Sequence, residues 1–192
     1  MDPRVLEALR PLTTWLDEMA VPYEVSGSLA SSLHGVPRSS IDVDLLAALE
    51  GAQVRGLADR LKERYYLSES RLEDAVARGA SFNLIHLDTM LKVDVFIAGS
   101  NRFAHQSLAR RALHRLGEEP NRVDVFVASA EDIVLHKLQW YRKGGEVSTR
   151  QWEDVIGVLK VQAERLDKPY LERWARELGI DDLLAGAFKE AT

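Results

Sequence analysis

The sequence contains no cysteine. That excludes a disulfide framework and any thiolate metal site. No apolar run approaches the ~18 residues that would suggest a membrane span. The first residues, MDPRVLEALRPL, interrupt their apolar run with charges and have no signal-peptide core, so the chain is expected to be cytoplasmic. An excess of positive charge is also lacking. Lys and Arg total 25 against 30 Asp and Glu, for a net charge of −5. This argues against a general DNA- or RNA-coating protein, though not against a local basic site. What remains is ordinary for a soluble globular protein: 192 residues, 46% hydrophobic and 29% charged. That is one domain with a sizeable core, or a core with a helical appendage. No internal repeat or low-complexity segment is visible.

Val5, Leu9, Leu12, Leu16 and Met19 fall at helical spacing after an Asp2-Pro3 start. Pro11 should kink this helix or restart it, and Pro22 should end it. A short strand is expected at Tyr23–Ser26, a short helix at 29–34 and a loop over 35–40. Ile41–Leu46 alternates apolar residues with aspartates and predicts a strand. Val54, Leu57, Leu61 and Tyr65 mark another amphipathic helix. Strands are expected at 81–87 and 90–97, joined across Asp88-Thr89. A further strand, 123–127, is expected to pair with 112–116. After Ser129 the pattern is helical: 130–142, 148–164, 166–178 and 181–189. The chain therefore reads as α/β for about two thirds, then helical.

The chemistry lies in the stretch VSGSLASSLHGVPRSSIDVDLL. On a strand, residues i and i+2 share a face, so Asp42 and Asp44 stand together while Ile41, Val43 and Leu45 face the core. Two adjacent carboxylates repel, and a hard divalent cation such as Mg²⁺ relieves that repulsion with oxygen ligands. Asp94, in Lys92-Val93-Asp94-Val95-Phe96, has the same mid-strand setting. If the two strands are neighbours, three aspartates meet on one surface, an arrangement that can hold two Mg²⁺ (or Mn²⁺) ions for in-line phosphoryl chemistry. Upstream, Gly27-Ser28 ends a strand and opens a helix. Such a corner offers free N–H groups, a helix dipole and a hydroxyl to a phosphate.

Taken as a set, these residues resemble the DNA-polymerase-β-type nucleotidyltransferase superfamily. Its pattern is an apolar residue, Gly with Gly or Ser, a gap of about nine to thirteen residues, and Asp-x-Asp in an apolar strand. Here these are Val25-Ser26, Gly27-Ser28, residues 29–41 and Asp42-Val43-Asp44, with Asp94 matching the third carboxylate. The segment SAEDIVLHKLQWYRKGGEVSTRQWEDVIGVLK resembles the small bacterial branch that includes abortive-infection and toxin-type members. There a helix Lys and a following helix Asp lie near the site, which corresponds to Lys137 and Asp154. The resemblance implies an α/β (α+β type) nucleotidyltransferase fold with a short twisted mixed sheet. Residues 1–128 would be the core and 129–192 a helical region packed on it. It implies transfer of an NMP from an NTP such as ATP to a hydroxyl of tRNA, a protein or a small molecule, releasing pyrophosphate. Asp42, Asp44 and Asp94 would hold Mg²⁺, and Asp94 would help deprotonate the acceptor. Gly27 and Ser28 would hold the β- and γ-phosphates, and Lys137 would balance the triphosphate charge. Arg38, in the loop before the aspartates, is a phosphate-contact candidate.

Ordinary alternatives stand beside each of these. Asp94 can pair with Lys92, and Asp154 with Arg150 four residues earlier. Gly27-Ser28 can be a plain turn and cap. Lys137 can be an exposed helix lysine. Trp140, Tyr141 and Trp152 suit helix packing better than base stacking. Arg110, Arg111 and Arg115 suit a solvated face. His34 suits a helix C-terminus. Two rival functions remain: a catalytically silent nucleotide- or partner-binding module, and a metal-dependent phosphoesterase or nuclease.

Overall fold

The computed structural model describes residues 2–39 and 42–191. The chain divides into two compact units that interleave along the sequence. One comprises Met1–Ser26 and Ser39–Val127, the other Gly27–Arg38 and Ala128–Thr192. Sequence reasoning put the boundary near 128 alone. The difference is the segment Gly27–Arg38, which packs with the C-terminal helices.

The first unit holds a seven-stranded mixed sheet: β1 (Tyr23–Val25), β2 (Val43–Ala47), β3 (Tyr65–Tyr66), β4 (Ser81–His86), β5 (Lys92–Ile97), β6 (Ala112–Leu116) and β7 (Val123–Val127). Their order is β3-β4-β5-β2-β1-β7-β6. β2 runs parallel to β5, and β1 runs parallel to β7. The expected pairing of 112–116 with 123–127 is the antiparallel β6–β7 ladder. β2 begins at Val43, so Asp42 immediately precedes the strand; Ile41 lies outside the described residues.

Among the described residues, this unit holds the helices α1 (Pro3–Glu18), α3 (Gly51–Leu61), α4 (Glu69–Arg78) and α5 (Arg102–Arg110). α1 starts at an Asp2 cap that accepts the Arg4 N–H, and it runs through Pro11 as one helix. Its buried stripe of Val5, Leu9, Leu12 and Leu16 supplies much of the core. On the sheet, Val43, Leu45, Val93, Val95 and Val25 are almost completely buried. The other face carries Leu46 and Phe96, packed with Ala104 and Leu108 of α5. Tyr65 is in β3 rather than at a helix end. Its hydroxyl donates to the Ala8 carbonyl at 2.6 Å, and its ring meets Trp15 and His86 edge-on.

The second unit holds α2 (Gly27–His34), α6 (Ala130–Lys143), α7 (Thr149–Gln162), α8 (Lys168–Leu178) and α9 (Asp181–Ala191). α6, α7 and α8 have Ser129, Ser148 and Asp167 as side-chain caps. α2 packs on α6 and α7. The contact is close at Gly35, where a Cβ would come within 2.7 Å of the Val158 nitrogen and 2.9 Å of the Gly157 carbonyl carbon. Nothing larger than glycine fits there without moving backbone. Among the described residues no helix is long and apolar enough to cross a membrane.

Candidate functional site

In the first unit, the parallel β2–β5 ladder sets Asp44 opposite Asp94. Cross-strand partners share a face, so the two carboxylates lie side by side. Asn83 of β4 pairs with Asp94 from the other side. Asp42 is exposed, ahead of β2, whereas Asp44 and Asp94 are half-buried. Among the described residues no three acidic or histidine side chains are gathered into a ready-made metal cage. A cation is nonetheless present: the Lys92 ammonium lies 2.7 Å from Asp94 Oδ2. Its hydrogen bond to Asp94 raises the Lys92 pKa, aided by the charges of Asp94, Asp42 and Asp44 and opposed by desolvation. The local field thus favours positive charge, and oxygen donors in this arrangement fit a hard divalent ion.

Asp94 also lines an open cleft of about 230 Å³. Ser81, Phe82 and Asn83 of β4 form one wall, and Arg71 and Asp74 of α4 form another. Neither Asn83 nor Arg71 was singled out from sequence. Asn83 carried a signal all the same, because it occupies the polar phase of the alternating strand SFNLIH.

The Gly-Ser corner begins where β1 ends. The Ser26 N–H donates to the Asp44 carbonyl at 2.8 Å, which anchors the residue just before the corner to the aspartate strand. Gly27 then adopts φ +57°, a left-handed value that favours glycine.

The second unit gathers Ser28, Arg38, Lys137, Gln151 and Asp154. Arg38 grips Asp154 with two parallel bonds, Nε to Oδ1 at 2.7 Å and a terminal nitrogen to Oδ2 at 2.8 Å. The same terminal nitrogen donates to the Ser28 hydroxyl oxygen at 2.5 Å. Lys137 donates to Asp154 Oδ2 at 2.7 Å and to Gln151 Oε1 at 3.1 Å. The Lys137 and Asp154 side chains are only 5% and 7% exposed, so this is an interior pair. Burial pushes the Asp154 carboxyl up, but hydrogen bonds and charge from Arg38 and Lys137 outweigh it and hold the pKa below the ordinary carboxylate value. Lys137, considered as an exposed helix lysine, is therefore buried. The partners of Asp154 are Arg38 and Lys137, in place of the nearby Arg150 that helix spacing suggested. Gln151 was missed, although it lies three residues before Asp154 on the same face of α7.

The remaining candidates have structural partners. Tyr141 and Trp152 pack ring to ring at 5.3 Å, and the Trp152 indole donates to Glu190. The Arg111 guanidinium stacks over Phe126 at 4.7 Å, and Arg115 approaches Asp124. The His34 ring bonds the Ala128 carbonyl at 2.7 Å.

Solved structures share this architecture. The antibiotic-resistance factor ANT(2'')-Ia aligns over 92% of this chain and 96% of its own, with 18% identity and a TM-score of 0.55. The chain has a nucleotidyltransferase fold. ANT(2'')-Ia in complex with adenylyl-2''-tobramycin gives a TM-score of 0.56 at 15% identity, covering 91% of this chain and 97% of that one. An antigenic nucleotidyltransferase-like protein from Paracoccidioides brasiliensis aligns over 97% of this chain and 91% of its own, with 17% identity and a TM-score of 0.54. No protein-family model matches the sequence, and no curated protein is similar to it in sequence. The expected α/β class and nucleotidyltransferase fold are thus borne out, on the strength of shape rather than sequence identity.

Proposed function

We propose that this protein is an enzyme that transfers a nucleoside monophosphate from an NTP to an acceptor hydroxyl, releasing pyrophosphate. The observation that carries this reading is the side-by-side pairing of Asp44 with Asp94 within a nucleotidyltransferase fold. Asp42, Asp44 and Asp94 are the residues that would hold two Mg²⁺ (or Mn²⁺) ions. Bound there, the ions would supply positive charge against the triphosphate. Asp94 accepts the proton of the acceptor hydroxyl. The freed oxygen bonds to the α-phosphorus as the α–β bridging P–O bond breaks, and pyrophosphate leaves with the bridging oxygen.

Gly27 and Ser28 take the β- and γ-phosphates. Because the Ser28 oxygen already accepts from Arg38, its own hydroxyl hydrogen is available to donate. Lys137 and Arg38 supply fixed positive charge for the triphosphate. The acceptor enters by the cleft beside Asp94, where Asn83 and Ser81 offer hydrogen bonds. The adenylyl-tobramycin complex of ANT(2'')-Ia supports a small hydroxylated acceptor, with tRNA and protein hydroxyls as the other classes.

The test is Mg²⁺-dependent transfer from α-labelled NTPs to an acceptor panel of aminoglycosides, total tRNA and added protein. Transfer by the wild type that Asp44→Asn abolishes, with unchanged circular dichroism, supports the proposal. Transfer that persists in Asp44→Asn refutes it. The Lys92–Asp94 pair favours a second reading, a module that binds nucleotide without turnover. Calorimetry showing NTP binding, with no transfer to any member of the panel, would point there.

A further inference from the structure

Lys92 is the one member of the aspartate cluster that the proposed reaction leaves without work. It is two residues before Asp94 on β5, so both side chains rise from the same face. Its ammonium is 2.7 Å from Asp94 Oδ2. The carboxylate it holds is the one paired in register with Asp44. A proposed metal ligand is therefore already engaged by a cation from the protein itself.

We propose that Lys92 is a built-in stand-in for the divalent ion: it compensates the aspartate cluster in the metal-free protein and is displaced from Asp94 when the ion binds. This rests on the metal reading above and adds to it a device that sets how readily the ion enters. Asp94 Oδ2 at 2.7 Å from an ammonium cannot serve a divalent ion at full strength, because both cations compete for one oxygen and repel each other. Lys is suited to such a role. Its charge is a point on a flexible four-carbon stem, and it can leave the carboxylate without dragging a planar fork out of register, as Arg would. At 44% exposure the Lys92 side chain has solvent to move into. An ammonium in this position offsets part of the repulsion between two neighbouring carboxylates while no metal is bound. The site then trades affinity for selectivity, since a bound ion must outcompete a local ammonium. A divalent ion accompanied by a polyanionic triphosphate does so more readily than the ion alone.

The test measures metal binding to the full chain without nucleotide, so it does not depend on turnover. Mn²⁺ serves as the probe, with free ion counted by electron paramagnetic resonance and heats recorded by calorimetry. Lys92→Met removes the competitor and is expected to tighten Mn²⁺ binding about tenfold, the order expected for one unit charge a few ångströms away. The same variant should show a lower melting temperature without metal and a larger rise on adding Mn²⁺. Lys92→Arg should keep Mn²⁺ binding weak, and Asp94→Asn should erase the gain from Lys92→Met. Wild-type binding that Lys92→Met leaves equal or weaker would overturn the stand-in role while leaving the metal site intact. Absence of saturable Mn²⁺ binding in both proteins would overturn the stand-in role together with the metal reading.

Discussion

Replacing Asp154 with asparagine should unfold the helical unit far more easily than its single lost charge suggests. The carboxylate receives three hydrogen bonds from two cations, and its side chain is 7% exposed. Asn keeps the shape and one acceptor oxygen but no charge. Arg38 and Lys137 must then share one neutral amide oxygen in place of the carboxylate, and Lys137, 5% exposed, keeps the neutral Gln151 oxygen. Removing one partner of a buried ion pair costs roughly 3–5 kcal/mol. For a chain of this length that corresponds to a fall of roughly 6–20 °C in melting temperature. Lys137→Met should cost less, because Asp154 keeps its two bonds from Arg38. The double variant should recover stability relative to Asp154→Asn, with a coupling of at least ~2 kcal/mol. Urea unfolding followed by tryptophan fluorescence is the assay, since Trp140, Trp152 and Trp174 all lie on helices of this unit. The sign with pH is fixed. Asp154 has its folded pKa lowered, so its contribution is complete above the ordinary carboxylate range near ~4 and is lost as pH falls through the lowered value. A loss below ~1 kcal/mol with no coupling would show an ordinary screened surface pair and refute the reasoning.

Three further outcomes follow from other positions. Burial, aided by the Lys143 charge, pushes the His136 pKa down to about 4. The unfolded chain takes up its proton first as pH falls from ~6.5, so stability should drop by about 3 kcal/mol by pH 4; chemical denaturation of His136→Gln should lack this slope. Gly35→Ala should cost about 1–3 kcal/mol, because the new methyl meets backbone atoms of Ser31, Gly157 and Val158 that cannot rotate away; a melting curve equal to wild type would refute this. Tyr65→Phe should cost about 1 kcal/mol through the Ala8 carbonyl that loses its 2.6 Å donor, as read by urea midpoint at constant slope.

The strands that carry the aspartates were legible because period-two alternation is local. VDLLA and KVDVFI announce both the strand and its buried face, and their register brings Asp44 beside Asp94. Helix α4 was not anticipated, since it buries only Leu72 and Ala75 and its remaining residues are mostly charged. Tyr65 satisfied a helical spacing, but its buried ring and hydroxyl are used by a two-residue strand. The Asp154 cluster was readable only in part. Helix spacing offers Arg150, whereas the actual partners are 17 and 116 residues away. Gly27 signalled its positive φ by being glycine, yet nothing local showed that its helix would group with residues beyond 127.

That grouping also orders events in time. Arg38 and Asp154 are separated by 116 residues. At translation speeds of about 5–20 residues per second, Arg38 is made roughly 6–23 s before its carboxylate partner. For most of that interval α2 has neither α6 nor α7 to pack on, and Leu29 and Ala30 lack the helices that bury them. The proposed phosphate corner is thus one of the first elements of the candidate site to be synthesised and one of the last to be assembled. A chain arrested between Asp94 and α7 would carry every aspartate of the proposed metal site and still lack the Asp154 carboxylate that fixes the Arg38 guanidinium beside Ser28.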